Sequence, residues 1–198
     1  MLVKRIFDIL ASVTGLLLLA PLFMLFGLAI RFESRGPIFF RQERVGRFGH
    51  IFKIHKFRTM TTNSERSGLQ ITVGEDKRIT QLGSFLRRYK LDELPQLLDV
   101  LYGNMSLVGP RPEVPKYVEY YPIEARRIIL SVRPGITDRA SIEYKKESEI
   151  LNTSKDPEKS YIEEIIPSKL TYYLEYVQNR SFAYDLRIIM DTLLAIWR

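Results

Sequence analysis

The pattern of hydrophobic positions separates a long apolar run near the start of the chain from a remainder in which apolar and polar residues are mixed. From Ile9 to Ile30 the sequence ILASVTGLLLLAPLFMLFGLAI contains no charged residue. As a helix this run would be about 33 Å long, close to the roughly 30 Å hydrocarbon core of a bilayer. It is long for the apolar region of a signal peptide, and no small-residue cleavage site follows it. The pattern therefore predicts a retained membrane segment.

Basic residues flank this segment on both sides. Lys4 and Arg5 precede it, and the arginines that follow are Arg31, Arg35, Arg41, Arg44 and Arg47. Because Lys and Arg are retained on the cytoplasmic side, a helix that enters, breaks and returns keeps both flanks there. Pro21 supplies the break, at a cost of ~3 kcal/mol or more inside a helix. A kinked spanning helix is the alternative, since membrane helices tolerate proline. We predict a re-entrant helix-break-helix over residues 1–35 and a cytoplasmic catalytic domain over 36–198.

Shorter periodicities predict the elements of that domain. β-rich runs over Ile38–Val45 and Ile51–Phe57 flank a Gly46–Gly49 turn, as in a β-hairpin. After a polar loop over 61–80, apolar residues recur at helical spacing in two runs, Leu82, Phe85, Leu86 and Tyr89, then Leu94, Leu97, Leu98 and Leu101. Gly103 and Asn104 predict the end of the second helix. SLVGPRPEVP and VRPGIT contain too much proline and glycine for regular helix or central strand, and predict turns.

The last part of the chain is charge-mixed and helical beyond Ser141. Its final segment, YDLRIIMDTLLAIW, is amphipathic, with Ile188, Ile189, Leu193, Ile196 and Trp197 on the apolar side. Such a helix either packs on the core or anchors at a membrane interface through Trp197. The whole pattern predicts a predominantly helical α+β fold, with one globular domain, a β-hairpin, amphipathic interfacial helices and a monotopic membrane helix.

Charge and composition narrow the function. The formal net charge is +7, which favours an anionic partner such as a phosphorylated substrate, anionic lipid or nucleic acid. With no cysteine, disulfides, thiolate zinc sites and cysteine nucleophiles are excluded. The sequence contains no HExxH, Walker or G-x-S-x-G motif, and neither His50 nor His55 has a partner at metal-ligand spacing. No nucleic-acid reader motif accompanies the basic residues, and a membrane segment argues against nucleic acid.

The stretch KLDELP places two carboxylates, Asp92 and Glu93, behind a basic run and before a proline. One interpretation is structural: Asp92 caps the next helix and Glu93 complements its dipole. The other is chemical, because one or two carboxylates with substrate phosphate and water form a typical Mg²⁺ site. The basic residues nearby in sequence that could neutralise a diphosphate are Arg87, Arg88, Lys90 and Arg111. Phosphoryl transfer needs such charge neutralisation, and a carboxylate can act as the nucleophile.

Several motifs occur together in an order that resembles a known family. FFRQERVG, FKIHKFRTM, LGSFLRRYKLDELPQLLDVLYGNMSLVGPRP and RPGIT are similar to those of the bacterial sugar transferases called monotopic phosphoglycosyl transferases. The resemblance covers about two thirds of the chain, from the membrane segment through Thr137. It implies transfer of a sugar-1-phosphate from a UDP-sugar to undecaprenyl phosphate, with release of UMP, at the cytoplasmic face of the bacterial inner membrane. It also implies Mg²⁺ and a re-entrant membrane helix.

The resemblance also assigns roles to residues of this chain. Asp92 corresponds to the nucleophile that forms a phosphosugar intermediate in a ping-pong cycle, and Glu93 to an assisting metal ligand or acid/base. Lys56, Arg58 and Arg111 match basic positions expected at the phosphates, and Arg133 is a further candidate at the nucleotide.

Two departures from the family's pattern stand out. Ala20 precedes Pro21 where many members have serine, and residues 138–142 differ from the usual continuation after RPGIT. The second departure is where we expect sugar selection to differ. The rival class is a non-enzymatic membrane-anchored module that binds anionic lipid or nucleic acid through its arginines.

Overall fold

A computed structural model of the protein describes residues 2–61, 71, 73–74 and 76–197, and for residues 196 and 197 it describes the backbone alone. The α-helices in this part of the chain are α1 (Leu2–Glu33), α2 (Gln81–Arg88), α3 (Gln96–Leu101), α4 (Pro115–Val118), α5 (Ile123–Ile129), α6 (Arg139–Glu143), α7 (Glu147–Asn152), α8 (Pro157–Ser160), α9 (Ile166–Asn179) and α10 (Phe182–Trp197). The strands are β1 (Phe39–Val45), β2 (Ile51–Phe57), β3 (Ser106–Val108) and β4 (Gly135–Thr137). The fold is predominantly helical with a small antiparallel hairpin, which confirms the predicted α+β class.

The hairpin forms as the two β-rich runs around the glycine turn predict. β1 and β2 are antiparallel, with Phe39 opposite Phe57 and Val45 opposite Ile51. Phe52 and Ile54 of β2 are buried in one cluster with Val100 and Met105. The hairpin therefore lies against the segment that carries α3 and β3. Most of the loop predicted over 61–80 lies outside the described residues.

Helix α1 is the one element in the described part of the chain that is long and apolar enough to cross a membrane. Only 17% of its most apolar window is buried, so it is not the core helix of a soluble domain. Its helical conformation continues through Pro21, and the predicted break into two separate helices is therefore wrong. The fixed φ of proline is itself close to helical, so Pro21 removes one hydrogen bond and can bend a helix without ending it. The re-entrant path stays a prediction.

Both ends of α1 are bound to the same globular body. Near its start, the Lys4 ammonium donates to the Val108 carbonyl at 3.0 Å, and the Arg5 guanidinium to the Val100 carbonyl at 2.8 Å. Near its end, Phe26 and Ile30 are buried in a cluster with residues of β2 and α2. A helix whose two ends contact one domain cannot carry those ends to opposite sides of a bilayer while the contacts hold.

The two segments predicted as turns contain a short pair of parallel strands. β3 and β4 pair in parallel, with Ser106 opposite Gly135. Three-residue strands are too short for an alternating pattern to reveal them. The two segments approach closely, since an added Cβ on Gly135 would lie only 2.0 Å from the Gly109 nitrogen. The Gly109 nitrogen donates to the Thr137 carbonyl at 3.1 Å and the Gly135 nitrogen to the Pro110 carbonyl at 3.0 Å, and these bonds hold the GPRP loop against β4.

The terminal helix α10 is only partly covered. Ile188 and Asp185 are buried on one side. The exposed large apolar residues on the other side are Phe182, Leu186, Met190, Leu193 and Leu194. The ring of Phe182 meets the ring of Phe7 of α1 edge to face, with centroids 5.2 Å apart. The exposed apolar sides of α10 and α1 are thus adjacent, whereas the predicted Trp197 anchor has a side chain outside the described residues.

Candidate active site

The carboxylate pair lies in a tight turn between two helices. Helix α2 ends at Arg88, Lys90 adopts the left-handed conformation with φ 57°, and Leu91–Glu93 then form a 3-10 turn. Asp92 and Glu93 are both buried, each with 8% of its surface exposed. The next helix begins after Pro95, and no side chain caps it. The interpretation of Asp92 as a helix cap is therefore wrong, because the intervening turn separates it from the start of α3.

Glu93 is bound by two cations from distant parts of the chain. The Lys56 ammonium donates to its Oε1 at 2.7 Å, and the Arg111 guanidinium donates to both of its oxygens, through Nη1 to Oε2 at 3.1 Å and through Nη2 to Oε1. Burial alone would raise the pKa of Glu93, but the charges of Arg111 and Lys56 outweigh burial and hold that pKa well below its usual range. Glu93 is therefore a fixed anion.

The two cations respond differently to this pairing. The charge of Glu93 raises the pKa of Arg111 well above its usual range. For Lys56 burial outweighs the attraction of Glu93, and the pKa of the ammonium falls to about 8. Arg111 is therefore the permanent partner of Glu93, and Lys56 is the partner that can release its proton.

Asp92 has the opposite environment. No hydrogen bond to its carboxylate occurs among the described residues, although Lys56, Arg87 and Lys90 exert favourable charge on it. Burial and the neighbouring charge of Glu93 raise the pKa of Asp92 above its ordinary value. Neighbouring carboxyls whose environments drive their pKa values apart typically hold different roles. Asp92 is the carboxylate left available to an incoming group.

The arrangement also tests the predicted Mg²⁺ site. The described residues include no group of three or more His, Cys, Asp or Glu side chains that could hold a metal ion. Because Arg111 and Lys56 occupy the oxygens of Glu93, only Asp92 of the pair is open to a cation. A single carboxylate with phosphate oxygens and water is an ordinary Mg²⁺ environment. The residues fit the ion through Asp92, whereas Glu93 as a ligand would have to give up its ion pairs.

The basic residues predicted from the sequence divide into two groups. Lys56 and Arg111 meet at Glu93, and Arg87 acts on Asp92 while its Nε donates to the Thr59 hydroxyl at 2.8 Å. The other three, Arg58, Arg88 and Arg133, make their contacts elsewhere.

Arg58 does not have the phosphate-binding position predicted for it. It is buried, and its guanidinium donates to the carbonyls of Ile30 at 3.2 Å, Ser34 at 2.7 Å and Arg35 at 2.7 Å. The last carbonyls of a helix have no partner within it, so Arg58 satisfies the end of α1 and is not placed to bind phosphate.

Arg88 and Arg133 also lie apart from the pair. Arg88 is exposed, with its guanidinium carbon 5.7 Å from the centre of the Tyr89 ring. Arg133 donates through Nε to the Gly103 carbonyl at 2.8 Å, and the charged groups that act on it are Arg5, Arg47 and Asp8. The structure therefore does not bring these two arginines to Asp92.

Sequence reasoning missed the residues that hold the Arg111 loop in place. Glu113 accepts from the Arg44 guanidinium at 3.2 Å and from the Tyr161 hydroxyl. Arg44 also donates to the Pro112 carbonyl at 3.1 Å. These contacts clamp residues next to Arg111 onto β1. Glu113 and Arg44 are 69 positions apart, so no local spacing signals them.

His55 also has a partner that spacing could not show. Its backbone nitrogen and its Nδ1 are each 2.8 Å from a carboxylate oxygen of the fully buried Asp99. This contact ties β2 to α3, on which Asp99 lies. The sequence shows no carboxylate partner for His55 because Asp99 lies 44 positions further along the chain.

A buried carboxylate bound by two cations thus lies beside one that accepts no hydrogen bond from the described residues, in a basic protein with an apolar helix long enough to cross a membrane. The chain belongs to the bacterial sugar transferase family, because the family model described as Bacterial sugar transferase matches residues 1–198. The match extends past Thr137 to the end of the chain, and so includes the region that departs from the usual motif.

Relatives agree on the lipid acceptor and differ in the sugar they name. The chain is 36% identical over 198 residues to UDP-N-acetylgalactosamine-undecaprenyl-phosphate N-acetylgalactosaminephosphotransferase of Aeromonas hydrophila, covering 98% of this chain and 43% of the relative. It is 41% identical over 137 residues to a putative undecaprenyl-phosphate N-acetylgalactosaminyl 1-phosphate transferase of Bacillus subtilis, covering 69% of this chain and 72% of the relative. It is 36% identical over 194 residues to UDP-glucose:undecaprenyl-phosphate glucose-1-phosphate transferase of Escherichia coli, covering 96% and 39%. The chain thus spans about two fifths of the Aeromonas and Escherichia relatives.

Proposed function

We propose that this protein is a phosphoglycosyl transferase that moves a sugar-1-phosphate from a UDP-sugar to undecaprenyl phosphate and releases UMP. The names of the relatives support the lipid acceptor and the transferred group. They differ between N-acetylgalactosamine and glucose, so the proposal stops at a UDP-sugar. The reaction would be the first membrane step in assembling a glycan such as a capsule or O-antigen.

The observation that carries this proposal is the unequal treatment of the two carboxylates. Glu93 is neutralised by Arg111 and Lys56, whereas Asp92 is buried without a hydrogen-bond partner among the described residues. A nucleophile needs open lone pairs, and nearby cations that can receive the charge of a phosphate. Asp92 meets both needs, whereas the oxygens of Glu93 are already occupied by Lys56 and Arg111.

The proposed chemistry has two displacements at one phosphorus. An oxygen of Asp92 attacks the phosphorus that bears the sugar, the bond from that phosphorus to the bridging oxygen breaks, and UMP leaves with the electron pair. A phosphate oxygen of the lipid then attacks the same phosphorus, the bond to Asp92 breaks, and the carboxylate is regenerated. Glu93 keeps Arg111 and Lys56 in place beside Asp92 through both steps.

Mg²⁺ completes the proposal as the cofactor. Asp92 would hold the ion together with phosphate oxygens and water. When bound, such an ion neutralises the charge of the phosphates.

The proposed location is the cytoplasmic face of the bacterial inner membrane, with α1 re-entrant. Both ends of α1 are bound to the globular body, which supports a helix that does not carry its ends to opposite sides. The exposed apolar side of α10 adjoins that of α1 through Phe7 and Phe182, which supports α10 as an interfacial helix. Membrane lipid is then a further partner.

The activity test uses the full chain in detergent with undecaprenyl phosphate, Mg²⁺ and a panel of UDP-sugars, and follows UMP. We expect UMP from at least one sugar, none from Asp92→Asn, and an unchanged rate from Asp156→Asn, which makes the same change at the exposed N-cap of α8, where Asn also caps. Full activity in Asp92→Asn would remove Asp92 as the nucleophile. One equivalent of UMP released before the lipid is added supports the covalent intermediate, whereas dependence on both substrates contradicts it.

The topology test uses the absence of natural cysteine. A single cysteine placed by Leu2→Cys is treated with an impermeant thiol reagent in intact cells, with Ile123→Cys on the exposed surface of the domain as the cytoplasmic marker. We expect both positions to react only after permeabilisation. Labelling of position 2 in intact cells would contradict re-entry.

A further inference from the structure

We propose that the ammonium of Lys90 binds a phosphate group of the substrate as it approaches Asp92. The inference rests on the proposed function and adds a substrate-binding residue to it. Lys90 is one of four basic residues that the sequence places near the carboxylate pair, and the family resemblance gives it no role.

The first observation is how the other cations of the site are engaged. Lys56 and Arg111 hydrogen-bond to Glu93, and Arg87 to Thr59. Arg58, predicted as a phosphate ligand, is engaged by the carbonyls at the end of α1. The Lys90 side chain is exposed and makes no hydrogen bond or ion pair within the described part of the chain. It is the nearby cation whose contacts are open to a ligand.

The second observation is its position relative to the reacting carboxylate. Lys90 immediately precedes the 3-10 turn Leu91–Glu93, and its carbonyl accepts from the Glu93 nitrogen at 3.3 Å. Its charge acts favourably on both Asp92 and Glu93. A phosphate bound at Asp92 would therefore be attracted by the Lys90 ammonium, whose exposed side chain can reorient to contact it.

The third observation is the backbone. Lys90 has φ 57°, one of two positive φ angles among the described residues other than glycine. A residue with a Cβ is disfavoured there by roughly 1–2 kcal/mol, whereas glycine is not. A position that would be easier for glycine but carries a lysine beside the carboxylate pair is a candidate for function.

The same backbone conformation gives a clean test, because Lys90→Gly removes the ammonium and also relieves the strain. We expect Lys90→Gly to keep or raise the thermal midpoint while kcat/KM falls about tenfold, as for the loss of one charge-assisted hydrogen bond. Lys90→Arg, which keeps the charge, should retain most of the rate. Lys155→Gly is the matched control, since Lys155 is also an exposed turn lysine and makes no contact with the pair.

The assay separates the possible sources of the phosphate. Rates are measured in neutral detergent, so that binding to anionic lipid does not contribute, while the UDP-sugar and undecaprenyl phosphate are varied in turn. A loss confined to kcat/KM for the UDP-sugar assigns Lys90 to the donor diphosphate, and a loss confined to the lipid assigns it to the acceptor phosphate. A loss for both assigns it to the phosphoryl group that is transferred.

Unchanged kcat/KM for both substrates in Lys90→Gly would overturn the inference, as would an equal loss in Lys155→Gly. Neither result would touch the proposed function, which is tested by the wild-type rate and by Asp92→Asn. If the wild type transfers no sugar-phosphate to the lipid, the proposed function itself fails, and the proposed role of Lys90 fails with it.

Discussion

The ion pair between Arg111 and Glu93 offers a quantitative test of the site geometry. Removing one partner of a buried pair typically costs about 3–5 kcal/mol, because the other charge is left buried. Two features lower the cost here. The Arg111 side chain is 28% exposed, and Lys56 also bonds to Glu93. Arg111 lowers the pKa of Lys56, so its removal leaves Lys56 more fully protonated and better able to hold Glu93. We expect Arg111→Ala to cost about 2 kcal/mol at pH 7, below the usual range.

The assay is a double-mutant cycle of Arg111→Ala, Glu93→Gln and the double variant, with thermal unfolding followed by circular dichroism in one detergent. For a chain of this size, about 2 kcal/mol corresponds to a shift of roughly 4–8 °C. The double variant should lose less than the sum of the single changes, because Gln at position 93 no longer needs a cation. The expected interaction energy is about 1–2 kcal/mol, within the range for contacting residues.

A matched cycle at an exposed pair fixes the baseline. Arg139 donates to Glu175 at 3.0 Å, and their side chains are 43% and 40% exposed. Exposed pairs contribute about 0.2–1 kcal/mol. An interaction energy for Arg111 and Glu93 no larger than that for Arg139 and Glu175 would refute the argument that Glu93 is held as a fixed anion.

Three further predictions test separate features of the site. Burial raises the pKa of Asp92, so the ionised carboxylate destabilises the fold above that pKa, and this cost disappears as the pH falls through it. At pH 7, Asp92→Asn should therefore unfold at the same temperature as the wild type or higher, and a clear drop in the unfolding temperature would contradict this. Gly135→Ala places a Cβ 2.0 Å from the Gly109 nitrogen and should lower both the unfolding temperature and the transfer rate. The pKa of Lys56 is about 8 in the folded protein and 10.5 ordinarily, so between these two pH values the unfolded chain binds more protons than the folded one. The free energy of unfolding should therefore rise by about 3 kcal/mol from pH 8 to pH 10.5. Lys56→Met should flatten that rise, measured as the difference between the two unfolding profiles.

The parts of the fold that could be predicted from sequence are those set by local periodicity. Two β-rich runs around the Gly46–Gly49 turn predicted the β1–β2 hairpin, and apolar positions three and four apart predicted α2 and α3. The β3–β4 pair was not predictable, because it joins three-residue strands that lie far apart in the chain. The continuity of α1 through Pro21 also escaped prediction, because proline lowers helix propensity without forbidding a helix.

The residues of the site also divide into those that local sequence predicts and those that only the folded structure reveals. The motif identified Asp92, Glu93 and Arg111 because they lie in recognisable stretches of sequence. Nothing local distinguishes Arg58, which satisfies helix carbonyls, from Lys56 two residues earlier, which binds Glu93. Adjacent basic residues look alike in sequence, and only their contacts after folding assign them to structure or to the site.

The unequal roles of Asp92 and Glu93 follow from the turn that holds them. A 3-10 turn has three residues per turn, so neighbouring side chains point about 120° apart and do not meet the same hydrogen-bond donors. Glu93 points to Arg111 and Lys56, and Asp92 is left buried without such partners. The left-handed Lys90 starts this turn, so the strain at Lys90 and the open carboxylate at Asp92 are two consequences of one backbone path. A regular helix from α2 into α3 would remove the left-handed Lys90 and the turn, and so the backbone path that places the two carboxylates in these different surroundings.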